Sequence, residues 1–265
     1  MLNPKDTKPM TNRPIQSIAQ IPAHLAGKVE DFARQIDIIS KDNLIAIYLY
    51  GSITHKVFNN PSTNIKLLIV LKSAKVEEIE NISSAIARAK KDYNIDTTII
   101  TKEEVKTSAD VFPMEFTDMK VKKFLLIGDD VFKSVHISME DLRRSCELEL
   151  KKRLFDLRSF FVLNLKHPKM LVENLLQDLP GFLMQTDTVL YLKSGHFASS
   201  TEDLLKEVYK DFHIQNTTIK KVYEIYKDIN KMPTDLLEII DLYNNYLAVV
   251  MKVAQFADAL QVYKD

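Results

Sequence analysis

From Asn64 to Leu71 the chain reads Asn-Ile-Lys-Leu-Leu-Ile-Val-Leu, and no other stretch restricts the fold as much. A run this short, this apolar and this rich in β-branched residues is a buried strand. It opens on two polar positions, Asn64 and Lys66, which are two residues apart and therefore point to the same side of a sheet. Upstream, Leu44 to Tyr50 has the composition of a second strand and ends on Gly51-Ser52. Glycine at a strand end lets the backbone turn sharply and come close to a ligand. Eleven residues separate Ser52 from Asn64.

The surrounding periodicity fixes the class. From His24 to Ser40 the apolar residues Leu25, Val29, Phe32, Ala33, Ile36 and Ile39 recur at steps of three and four, which predicts a helix with one buried stripe. Val76 to Lys91 repeats that spacing, Ile95 to Thr101 reads as a third strand, and Phe124 to Ile127 as a fourth that enters a Gly128-Asp-Asp turn. A short helix is expected over 102–107, and Phe112, Glu115 and Met119 share a further helical face. Beyond Ser138 almost everything reads helical: a long helix over 141–164, then segments punctuated by Pro168, Pro180-Gly181, Gly195 and Pro233, ending with 235–263. The expected fold class is α+β, an α/β domain followed by an all-α helical bundle. Its divisions are an extended, proline-containing N-terminal extension over 1–23, the α/β domain over 24–130 and the bundle over 131–265.

The order of helix, strand ending on Gly-Ser, spacer, apolar strand, helix and strand resembles the nucleotidyltransferase superfamily, the polymerase-β-like fold. There the pattern is an apolar residue, Gly, Gly or Ser, a spacer of similar length, then Asp, apolar, Asp or Glu, apolar. Gly51 and Ser52 match the turn, while Asn64 and Lys66 stand at the two acidic positions. Asp96, on the next strand, is the best match for the third carboxylate. The resemblance covers residues 25–130, and the helical half is similar in kind to the bundles that follow such domains.

What the resemblance implies is transfer of a nucleoside monophosphate, with divalent cations neutralising the triphosphate and aligning the reacting oxygens. Magnesium needs oxygen ligands, usually carboxylates. A neutral Asn64 is at most a weak ligand, and a protonated Lys66 has no lone pair and carries charge of the wrong sign. The expectation is therefore a catalytically degenerate member, leaning away from an enzyme. It keeps Gly51, Ser52, Asn64 and Lys66 as contacts for a nucleotide or phosphorylated small molecule, and Asp96 as the residual acidic position. Pairing of Lys66 with Asp96 would substitute for the lost metal. No metal ligands and no cofactor are expected, with magnesium only if the protein is active. Two alternatives are carried. One is an active metal-dependent transferase in which Asp96 joins Glu115 or Asp118 in a relocated acidic site; the other is a helical dimerisation or partner-binding scaffold, as a homodimer or with another protein.

Composition narrows the remaining choices. The 36 Lys plus Arg balance 36 Asp plus Glu, so there is no global positive field and nucleic acid is not expected as a partner. A single cysteine, Cys146, excludes an internal disulfide framework, and no N-terminal apolar run is long enough for a signal peptide or a span. A cytoplasmic protein with no membrane partner is the expectation. The histidines lack metal-binding spacing. The basic residues of 143–158 alternate with Glu140, Glu147, Glu149 and Asp156, which predicts ion pairs along a helix surface. Tyr209, Tyr223, Tyr226, Tyr243 and Tyr246 fall among apolar helical positions and are expected to pack.

Overall fold

The computed structural model describes residues 13–54, 65–213 and 217–262. The chain divides into two compact units: among the described residues the first takes 13–54, 65–111 and 115–136, and the second 112–114 and the residues from 137 on.

In the first unit, α1 (Ala23–Ser40) leads to β1 (Leu44–Tyr50), a short 3-10 turn over Ser52–Thr54, β2 (Ile65–Leu71), α2 (Val76–Tyr93) and β3 (Ile95–Thr101). Then come α3 (Lys102–Thr107), α4 (Pro113–Val121) and β4 (Phe124–Gly128). The four strands form one sheet in the order β3-β2-β1-β4. β1 pairs antiparallel with β2 and β4, while β2 and β3, joined through α2, run parallel. The strand read over Asn64 to Leu71 is described from Ile65, and Lys66 pairs with Tyr50 on one side and Asp96 on the other.

Alternation along the strands gives the sheet two unlike faces. Ile47, Leu49, Leu67, Ile69 and Leu71 are buried in one core with Val29, Phe32 and Ile36 of α1 and Ile82 of α2. On the other face Tyr48, Leu68 and Val70 are also buried, and Tyr48 meets Phe132 edge-on at 5.3 Å. The Tyr48 hydroxyl accepts from the Val131 amide at 2.8 Å and lies 3.1 Å from the Asp129 carbonyl. Burial raises its pKa well above that of a free tyrosine. Lys123 closes this region by pairing with Asp130 at 3.1 Å. The described part of the N-terminal extension runs along the outer edge of β4, where the Gln16 amide donates to the Leu126 carbonyl at 2.8 Å. Arg13 anchors it to the buried Asp37 at 2.7 Å. Gly128 has φ +88°, and a Cβ there would fall 1.9 Å from the Ile45 carbonyl oxygen, so only glycine fits beside the irregular start of β1.

The second unit contains α5 (Met139–Asn164), α6 (Pro168–Ser194), α7 (Thr201–Phe212), α8 (Thr217–Lys227) and α9 (Leu236–Ala259). Ser138, Ser200 and Asp235 cap α5, α7 and α9 by accepting the amide three residues on. Pro180-Gly181 was expected to break the helical run, but α6 passes through both residues. Proline removes one backbone hydrogen bond, yet Leu175, Leu179, Phe182 and Leu183 keep their places in the core across it, and their burial outweighs the loss. Gly181 has a packing role: a Cβ there would come within 2.8 Å of an Arg153 guanidinium nitrogen. Arg153 in turn donates to Gln185 at 2.8 Å and pairs with Asp178, which accepts from the Tyr246 hydroxyl at 2.9 Å. Tyr243 and Tyr246 are fully buried, whereas Tyr209, expected to pack, is exposed. Arg143 and Arg144 pair with Glu140, and Lys151 with Glu147, as the alternating charges of α5 predicted. Cys146 is buried.

Candidate ligand-binding site

Of the residues singled out in the sequence, Gly51, Ser52, Lys66 and Asp96 lie at one end of the sheet. Gly51 is buried with φ +80°, a conformation that costs residues with a Cβ about 1–2 kcal/mol. Its carbonyl accepts from the Thr54 amide at 2.9 Å and the Thr54 hydroxyl at 2.7 Å, which holds the turn that Ser52 opens. A Cβ on Gly51 would lie 3.2 Å from Cδ of Lys66, so the stem of Lys66 crosses directly over this glycine. Lys66 itself is exposed. Asn64 lies outside the described residues.

In register, Tyr50, Lys66 and Asp96 stand side by side across β1, β2 and β3, with their side chains on the same face. The parity that aligned Lys66 with Asp96 in the sequence is present, but the ion pair expected between them is not. Asp96 is bound instead by Lys90 Nζ at 2.7 Å, which also reaches Asn94 Oδ1 at 3.2 Å. Lys90 sits at the end of α2, six residues before Asp96, and the left-handed Asn94 turns the chain so that helix end and strand start face each other. Among the described residues, no ion pair joins Lys66 to Asp96.

Tyr50 and Thr98 belong to the site and were not picked out from the sequence. Their side-chain oxygens are 2.9 Å apart, and register places both on the face that carries Lys66. The Tyr50 hydroxyl has a raised pKa, chiefly through burial and further through the negative charges of Asp96, Asp118 and Glu115. The two acids of α4 therefore act on the same place as Asp96. Strand alternation could have found Tyr50, which is two residues from Tyr48 and adjacent to Gly51; only the tertiary fold brings in Glu115 and Asp118.

No protein-family model and no curated protein sequence matches the chain. Among solved structures it is similar to spectinomycin adenyltransferase AAD(9) from Enterococcus faecialis, determined with ATP and spectinomycin. The TM-score is 0.53, covering 87% of this chain and 98% of that one at 13% identity. The fold is the nucleotidyltransferase fold. Both its α+β sheet region and its helical region are present in this chain.

Whether the residues suit the magnesium centre that this fold implies depends on what stands in the sheet. Position 66 presents an ammonium, Asp96 is already neutralised by Lys90, and no three His, Cys, Asp or Glu side chains converge to hold a metal among the described residues. Bringing a divalent cation beside Lys66 would add repulsion where the chemistry needs attraction. The described residues do not fit the usual two-cation arrangement.

Proposed function

We propose that this protein binds a nucleotide or another phosphorylated ligand, in the cytoplasm, without carrying out metal-dependent nucleotidyl transfer. The observation that carries this reading is the exposed Lys66 ammonium on a stem laid across the left-handed Gly51. It puts an exposed positive charge beside a turn whose backbone a phosphate can approach closely. The adenyltransferase of similar fold was solved with ATP, which makes ATP the first ligand to try. The Tyr50 and Thr98 hydroxyls supply further polar contacts on the same face.

Calorimetric titration with ATP, with and without magnesium, tests this directly. Binding of equal strength in both conditions is the expected result, and Lys66→Ala should weaken it about tenfold or more, as for loss of a charge-assisted contact of about 1.5–3 kcal/mol. No heat in either condition would overturn the reading.

One observation favours a second reading, an active transferase with a relocated acidic site: the charges of Asp96, Glu115 and Asp118 all bear on the Tyr50 hydroxyl. Under that reading, transfer of radiolabel from a nucleotide requires magnesium and disappears in Asp96→Ala.

A further inference from the structure

Helix α5 presents two apolar sides. Its inner side buries Leu142, Cys146, Leu150, Leu154 and Leu157. On the outer side Leu148, Phe155 and Val162 follow one another at seven-residue intervals, close to two helical turns, and so stack in one row. They are 65%, 59% and 75% exposed, and neighbouring Leu163 is 79% exposed. Arg144, Lys151, Lys152 and Arg158 surround the row, and Lys166 stands just past the helix end.

Acidic groups near this face offset part of its charge, so that Arg144 and Lys151 are paired. Glu140 is held by Arg143 and Arg144, and Glu147 by Arg143 and Lys151. Glu149 and Asp156 line a cavity of about 350 Å³, together with Lys152, Arg153 and Asp178. Lys152, Arg158 and Lys166 form no ion pair among the described residues. The expectation of surface ion pairs along α5 thus holds for its first half and leaves the second half basic.

We infer that the outer face of α5 docks on an anionic phospholipid surface. Three occupants compete for an exposed apolar row, and charge decides among them. A second copy of this chain would set the same group of cations against itself. A partner helix would need holes for its knobs at three and four residues beyond Leu148 and Phe155, and those positions are Lys151, Lys152, Arg158 and Ser159. A bilayer interface accepts both components at once. The protruding aliphatic and aromatic groups enter the acyl boundary, while the long Lys and Arg stems let their charges rest among lipid phosphates. Association of this kind needs no spanning segment, and among the described residues no helix is long and apolar enough to cross a membrane. The expectation that membranes play no part came from the lack of such a segment; a helix lying on the surface escapes that test.

Flotation of the full chain with phosphatidylcholine vesicles, alone or containing one-third phosphatidylglycerol, tests the inference. Binding to the anionic vesicles is expected to exceed binding to the neutral ones by tenfold or more and to fall with added salt. Val162→Glu with Leu163→Glu should lower it at least tenfold, and Arg158→Glu with Lys166→Glu should do the same. These positions are exposed, so each variant should keep the wild-type circular dichroism spectrum and melting temperature. Should the apolar pair fail to fold, the charge pair alone decides. Equal binding to both vesicle types, or full binding by a folded charge variant, overturns the proposal. Failure to bind either vesicle also overturns it, and leaves the face to an acidic protein partner.

Discussion

Two polar clusters, one in each unit of this protein, are held in opposite ways. In the helical unit Arg153 and Asp178 are only 14% and 13% exposed, and every neighbour answers them: Gln185, the Asp178 carbonyl, Tyr246. In the sheet unit the polar groups of the candidate site gather at one end of one face. Lys66 is exposed, and Asp96 is 42% exposed, with a surface lysine for a partner. A buried charge has to be satisfied within the protein, because leaving it unpaired is costly. An exposed one at a turn with a left-handed glycine contributes little to stability and remains available to a ligand. The contrast distinguishes structural polarity from polarity suited to binding, even though both regions are rich in charge.

The sharpest way to break this comparison is to delete one residue from each side. Arg153→Ala should destabilise the protein by about 3–5 kcal/mol, since it strands Asp178 in a site where burial already raises its carboxyl pKa despite the arginine. Lys66→Ala should leave stability within about 0.5 kcal/mol of wild type. Denaturant unfolding measures both, and equal losses would erase the distinction. A smaller effect is expected from Gly51→Ala, which forces a Cβ into the left-handed region and against Lys66 at 3.2 Å. Its stability should fall by about 1–2 kcal/mol, with weaker ATP binding measured on the folded fraction. Wild-type stability and binding in this variant would mean that the turn does not constrain the site.

The smallest effect concerns three surface residues in the helical unit. Lys227 and Lys231 hold the Glu224 carboxyl down to about 2, chiefly through hydrogen bonds. Because the folded value lies below the unfolded one, whatever stability this group adds is present above the ordinary carboxylate range and is lost as pH falls through about 2. An NMR titration of Glu224 should show the lowered midpoint, and Lys231→Ala should move it upward. No upward movement would show that Lys231 does not contribute to the shift.

Much of the fold was legible because local rules and tertiary demands agree. β1 and β3 lie where their β-branched runs placed them, closed by Gly51 on one side and entered through Asn94 on the other. The site was legible only as far as strand alternation reaches. Two-residue parity put Lys66 beside Asp96, but it is silent about a helix end folding back, and so the pairing with Lys90 went unseen. Pro180 misled for a related reason. Proline is a local signal against a helix, whereas the apolar stripe that carries α6 past it is satisfied by other helices.

By itself, then, the sequence determined the succession of strands and helices, the Gly51 turn and a lysine at position 66 on the strand that follows it. Each of these follows from a residue's own chemistry and from the spacing of its near neighbours along the chain. The tertiary structure alone decided that Lys90 neutralises Asp96, that Tyr50 and Thr98 join hydroxyls above β2, and that the charges of Glu115 and Asp118 reach them. Those outcomes depend on distances between residues far apart in the chain, which hydrogen-bond register and core packing set and which no local pattern encodes.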